Sequence, residues 1–120
     1  MFGTETFSRL RPRHIVIQGS SMSPAFTAGE HCLSLPYSLW RKPKRGDCVV
    51  ALDPRTRRRI VKRISFLPGE RFQLANGQAA ICGDREYGLF GDNASESTDS
   101  RAYGPIPRTD ILGYIVSPKR

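Results

Sequence analysis

The chain has no apolar run approaching the roughly 20 residues needed to cross a bilayer. Its longest is CVVAL, at 48–52. The first dozen residues, MFGTETFSRLRP, lack the stretch of about 7–15 apolar residues that a secretory leader carries. The expectation is a soluble, cytoplasmic chain. A fragment cut from a membrane-anchored protein would read the same, although the opening Met argues against that.

Cysteine is scarce. Cys32, Cys48 and Cys82 form no C-x-x-C pair, and their odd number excludes a closed disulfide framework. This fits a reducing compartment and argues against a zinc site. A cysteine nucleophile would need a histidine, and only His14 and His31 exist. Cys48, inside DCVVAL, reads better as a small buried apolar residue.

Acidic residues are also few: 11 Asp and Glu against 19 Lys and Arg give a net charge of +8, with basic runs at 40–45 (WRKPKR) and 55–63 (RTRRRIVKR). Such a field favours anionic partners. No helical pattern or aromatic-interleaved face organises it for nucleic acid, so the runs read as a solvated basic surface.

Helical periodicity is missing too. Across 120 residues, enough for one domain with a modest core, the apolar residues come in short alternating bursts between turn signals. The pattern predicts a mainly β, single-domain antiparallel fold with long loops and little helix. Expected strands are 14–18, 30–35, 47–52, 59–66, 71–75, 79–82 and 111–116. ANGQ (75–78) reads as an Asn-Gly hairpin turn, and LPGE (67–70) as a second turn. The domain is placed at 14–117, with a segment 1–13 before it and a tail 118–120 after it. Residues 83–107, rich in Gly, Asp, Ser and Pro, read as a long loop of the kind that is either functional or disordered.

Two features stand out against this background. QGSSMSPAF (18–26) has the composition of a solvated turn, yet it follows HIVI, which reads as a buried strand. A strand running into a tight Ser-rich turn is how a hydroxyl nucleophile is held on a rigid support. The second feature is RIVKRISF (59–66). Alternation places Ile60, Lys62, Ile64 and Phe66 on one face and Val61, Arg63 and Ser65 on the other. The more apolar face therefore carries a lysine. Either Lys62 lays its stem on the core and its ammonium in water, or desolvation lowers its pKa and makes it a general base for a serine.

These segments resemble the type I signal peptidases. GSSMSPAF is similar to their Ser-Met-x-Pro box. RGDCVVALDP with RRIVKRISFLPGE is similar to the next two boxes, and GDNASESTDSRAYGPIP followed by ILGYI to the last. The match covers about residues 15–116 in the right order. The resemblance implies Ser21 as nucleophile, Lys62 as general base, Ser97 as the hydroxyl that holds the lysine amine, and Asp99 and Arg101 as a supporting charged pair. Gly91, Asp92 and Asn93 match the start of the last box. Gly19 stands where many members have an oxyanion-donating serine, so in the 19–21 turn the backbone N–H of Ser21 is expected to act with water or a neighbouring N–H, helped by the Ser20 hydroxyl. Met22 is a candidate for the substrate groove or for the core.

The large second β-domain and the anchor of the family are absent from this sequence. That absence likens it to the short nickel-type superoxide dismutase maturation proteases, and implies a precursor protein with an N-terminal extension as partner, no metal and no other cofactor. Other readings are a general signal-peptidase-like protease, a self-cleaving repressor-type protease, for which too few residues precede HIVI, and a non-enzymatic basic nucleic-acid-binding module.

Overall fold

The computed structural model describes residues 12–118 and 120. Its centre is CVVAL. Strand β3 (Cys48–Leu52) is buried along nearly its whole length, so its alternating side chains feed two cores on opposite faces of one sheet. Cys48 and Val50 join Ile17, Met22, Phe26, Cys32 and Ile115 on one face. Val49 and Ala51 join Ile64, Leu89, Ile106 and Ile111 on the other. An unbroken apolar run is what a strand covered on both faces requires.

Around β3 lie β1 (Arg13–Val16), β2 (His31–Leu35), β4 (Arg59–Phe66), β7 (Glu86–Phe90), β8 (Ile106–Pro107) and β9 (Ile111–Ser117), in the sheet order β1-β2-β9-β3-β4-β7-β8. All neighbours are antiparallel. A separate hairpin, β5 (Arg71–Gln73) with β6 (Ala79–Ile81), carries the expected Asn-Gly turn. There Gly77 takes φ +91°, the left-handed region that favours glycine. All seven expected strands are present.

The 83–107 segment departs from the expected loop. It holds β7, a 3-10 turn (Ala94–Glu96), the short helix α1 (Ser100–Tyr103) and β8. The misleading signal is glycine. Gly88 lies inside β7, where a Cβ would stand 3.0 Å from Phe66 Cβ and 3.2 Å from the Phe72 ring. A residue that composition assigns to a turn is there to let a strand approach an aromatic cluster.

Pairing along β4 is unequal. All of Arg59–Arg63 pairs with β3, whereas β7 takes up only the second half, from Arg63 to Phe66. Among the described residues the first half of β4 therefore has one unpaired edge, and β1 ends the sheet with another. Both edges border the same cleft.

Candidate active site

The Ser-rich turn is held from below by apolar anchors. After β1, Ile17 donates to Glu30 O (2.9 Å) and accepts from Gly29 N (2.8 Å), while Gly19 turns the chain at φ +72°. Met22 and Phe26 are 1% and 0% exposed, and one turn closes between them through Phe26 N to Met22 O at 2.9 Å. Ser21 sits half-buried above this pair. From the side, Asn93 donates its backbone N–H to Ser21 O (2.8 Å) and its side-chain amide to Ser20 O (3.2 Å). The composition of a flexible loop is thus overridden by two buried side chains and an asparagine clamp. Met22 belongs to the core and also floors the cleft.

Lys62 is 5% exposed on β4, and its Nζ donates to Ser97 Oγ at 3.1 Å. Ser97 Oγ in turn donates to Asp99 Oδ2 at 2.6 Å. Asp99, 1% exposed, accepts further bonds from Gly91 N (2.8 Å) and from Arg101 Nε (3.0 Å) and Nη2 (2.6 Å). It also caps α1 through Arg101 N. Ser100, fully buried, accepts from Leu89 N at 2.9 Å and so ties α1 to β7.

Burial lowers the pKa of Lys62; the nearby Asp99 opposes this, Arg101 adds to it, and Asp53 opposes it. Burial pushes the Asp99 carboxyl up, but its bonds from Arg101, Ser97 and Gly91 outweigh that and hold it below the usual carboxylate range. The lysine thus faces a hydroxyl, with the carboxylate one step behind.

Gly91 is what allows the turn and the lysine's support to meet. A Cβ there would lie 2.2 Å from Ser97 Oγ and 2.8 Å from Ser21 O. No side chain fits that gap. Ser21 and Lys62 consequently line one cleft of about 540 Å³, walled by His14–Gln18 on one side and Arg58–Lys62 on the other. Lys62, Ser97, Asp99 and Arg101 form one hydrogen-bonded chain. Ser21 shares the cleft with Lys62 without a hydrogen bond between them among the described residues, and Gly19 and Ser20 belong to the same turn as Ser21. The Ser21 N–H donates no hydrogen bond among the described residues, which leaves it directed at no internal acceptor.

The clamp by Asn93 and the place of Asp53 on the cleft wall were not legible as such. Asp53 is 6% exposed and organises the β3–β4 turn by accepting from Arg55 N (2.8 Å) and Thr56 N (3.3 Å). Its signal was the Asp-Pro that opens DPRT, an Asx-type turn start.

The cysteine reading loses its partner. His14 Nε2 and His31 Nδ1 lie 2.6 Å apart and bond each other, while all three cysteines are free and buried. Burial pushes the Cys48 thiol up to about 11, away from nucleophilic character. Much of the basic run is also accounted for locally: Arg41 pairs with Asp47, Arg45 with Glu70, Arg55 with Asp53 and Arg57 with Asp110. Among the described residues no cluster of three or more His, Cys, Asp or Glu gathers for a metal, and no helix is long and apolar enough to cross a membrane.

Comparison with known proteins identifies the family. The family model of signal peptidase, peptidase S26, matches residues 10–85 and 82–118. Mitochondrial inner membrane protease subunit 1 of Saccharomyces cerevisiae is 33% identical over 121 residues, covering 83% of this chain and 63% of that protein. The mouse protein of the same name is 39% identical over 79 residues, 60% of this chain and 47% of its own length. Signal peptidase I of Leptolyngbya laminosa is 28% identical over 131 residues, 83% of this chain and 64% of its own. The chain thus spans about half to two-thirds of the length of these relatives. With the boxes in order and the family model matched over nearly all of its length, the chain belongs to the signal peptidase family, peptidase S26.

Proposed function

We propose that this protein is a serine endopeptidase with a Ser21–Lys62 dyad that removes an N-terminal extension from a precursor protein. The carrying observation is a lysine at 5% exposure whose amine bonds a serine hydroxyl and shares a cleft with a second serine. Lysine is almost never buried without a partner or a purpose.

In this mechanism neutral Lys62 accepts the Ser21 proton as Oγ attacks the scissile carbonyl. The Ser21 N–H and the neighbouring Ser20 stabilise the oxyanion. Lys62 then protonates the leaving amine, and the acyl group stays on Ser21 Oγ. A water deprotonated by Lys62 attacks the ester, and the serine recovers its proton. Ser97 keeps the amine aimed, and Asp99 with Arg101 keeps Ser97 in place. The substrate enters as an extended strand between the unpaired edges of β1 and β4, where backbone bonds supply affinity and alternate side chains are read.

The substrate we propose is a nickel-type superoxide dismutase precursor, on the likeness to the short maturation proteases. The three free thiols support a reducing site of action, the cytoplasm in this reading. Incubation with that precursor, followed by mass spectrometry, is expected to yield one new N-terminus that disappears with Ser21→Ala and with Lys62→Ala. Cleavage that survives both substitutions would falsify the dyad. Cleavage of other precursors but not this one would remove the substrate and leave the chemistry.

A further inference from the structure

We infer that the end of the cleft remote from Ser21 is a cationic subsite, selecting a substrate with an acidic side chain three to four residues from the scissile bond. The inference rests on the peptidase reading for the position of that bond. Beyond the cleft lies a second hollow of about 690 Å³, and the two share Ile15, Val50 and Arg59. Arg13, Arg59 and Arg108 line this hollow, and Arg58 stands beside Arg59 on the cleft.

Among the described residues seven arginines are neutralised by carboxylates: Arg41, Arg45, Arg55, Arg57, Arg63, Arg101 and Arg120. None of the four at this end is in an ion pair among the described residues. Arg108 is oriented, its guanidinium donating to Ile111 O (3.1 Å) and lying 5.1 Å from the centre of the Tyr37 ring. Among the described residues Asp53 is the one carboxylate on the cleft wall, and it is occupied by Arg55 and by backbone N–H groups.

Each wall sets an arginine at a similar backbone separation, on β4 from Lys62 itself and on β1 from the exit to the Ser21 turn. Along β1, Arg13 lies four residues before Ile17, where the chain leaves for the Ser21 turn; along β4, Arg59 lies three residues before Lys62. At about 3.3 Å per residue both separations are roughly 10–13 Å, the span of three to four residues of an extended substrate. An Asp or Glu at that position meets guanidinium groups shaped for a carboxylate.

The test uses the full chain and a set of short, neutral, fluorescein-labelled peptides in which a single Glu is moved position by position, each with its Gln counterpart. Binding to the Ser21→Ala protein is read by polarisation, and cleavage by the wild type as kcat/KM. One position is expected to favour Glu over Gln by roughly 3- to 5-fold at low salt, the effect appearing in Kd and KM rather than kcat. Arg13→Gln with Arg59→Gln brings the ratio to about one, and Arg59→Glu reverses it toward a Lys peptide. Thermal unfolding checks that these surface variants are folded. No Glu preference at any position, a preference indifferent to the arginine substitutions, or tighter binding of a short oligonucleotide at equal salt overturns the subsite. Glu-selective binding to the Ser21→Ala protein, with no peptide cut by the wild type, keeps the subsite and refutes the peptidase reading.

Discussion

Lys62 and Arg63 are neighbours on one strand with the same formal charge, and the two faces of β4 treat them in opposite ways. On one face Lys62 is buried among Ile60, Ile64 and the second core, and its amine meets the hydroxyl of Ser97. On the other, Arg63 meets a carboxylate directly, donating to Asp92 from Nε (2.9 Å) and Nη2 (2.8 Å) and to the carbonyls of Gly46 (2.9 Å) and Arg120 (3.1 Å). A carboxylate in contact fixes a cation in its charged state. A hydroxyl between cation and carboxylate supplies direction with much less charge. The first arrangement suits structure; the second suits a base that must be neutral to act.

Substitutions that break this contrast rank by how directly they touch the amine. Lys62→Ala, like Ser21→Ala, is expected to cost about 10⁴-fold or more in kcat while leaving the protein folded, measured on a cleaved precursor with thermal unfolding as control. Gly91→Ala drives a methyl group into Ser97 Oγ and Ser21 O. A displacement of that size is expected to lower kcat by about 10²-fold without removing any catalytic group. An activity equal to wild type would show that the close approach does not matter.

The charge relation is sharpened by pH. In the proposed mechanism activity requires neutral Lys62, so it is expected to rise with pH through the lowered pKa. Arg101 helps to depress that pKa, whereas Asp99 raises it. Arg101→Gln is therefore expected to move the acid limb of the pH–rate profile to higher pH. A limb that stays in place would assign it to another group.

Stability should respond in opposite directions on the two faces. Arg63→Gln removes a two-bond ion pair that is three-quarters buried on both sides, and is expected to lose about 1–2 kcal/mol in denaturant unfolding. Lys62→Met keeps the volume and removes a buried amine, and is expected to gain about 1 kcal/mol at neutral pH. The linkage sign agrees. With the folded pKa below the unfolded one, the unfolded chain binds the proton more tightly between the two values, so Lys62 makes stability rise with pH across that window. The Met variant loses that rise.

The strand-rich class, the seven strands and the inward lysine were readable from local pattern. Alternation along a strand is a local property, and it survives any packing that covers the face. β7 was hidden because Gly88 answers to Phe66 and Phe72, which are distant in sequence. The rigidity of the Ser21 turn was hidden for a related reason, since Asn93 clamps it from some 70 residues away, as its bond to Ser20 spans 73 positions.

By itself the sequence determined which face of β4 carries Lys62, the order of the boxes and the shortage of cysteine partners. All of these depend on neighbours in the chain and on side-chain chemistry. Only the tertiary structure decided that Ser97 reaches the amine, that Gly91 admits both Ser97 and the Ser21 turn, and that His14 and His31 bond each other. It also decided which arginines find carboxylates and which are left facing the cleft. Those outcomes depend on distances of a few ångströms between segments far apart in the chain, and a linear pattern holds no such distance until the sheet has curled.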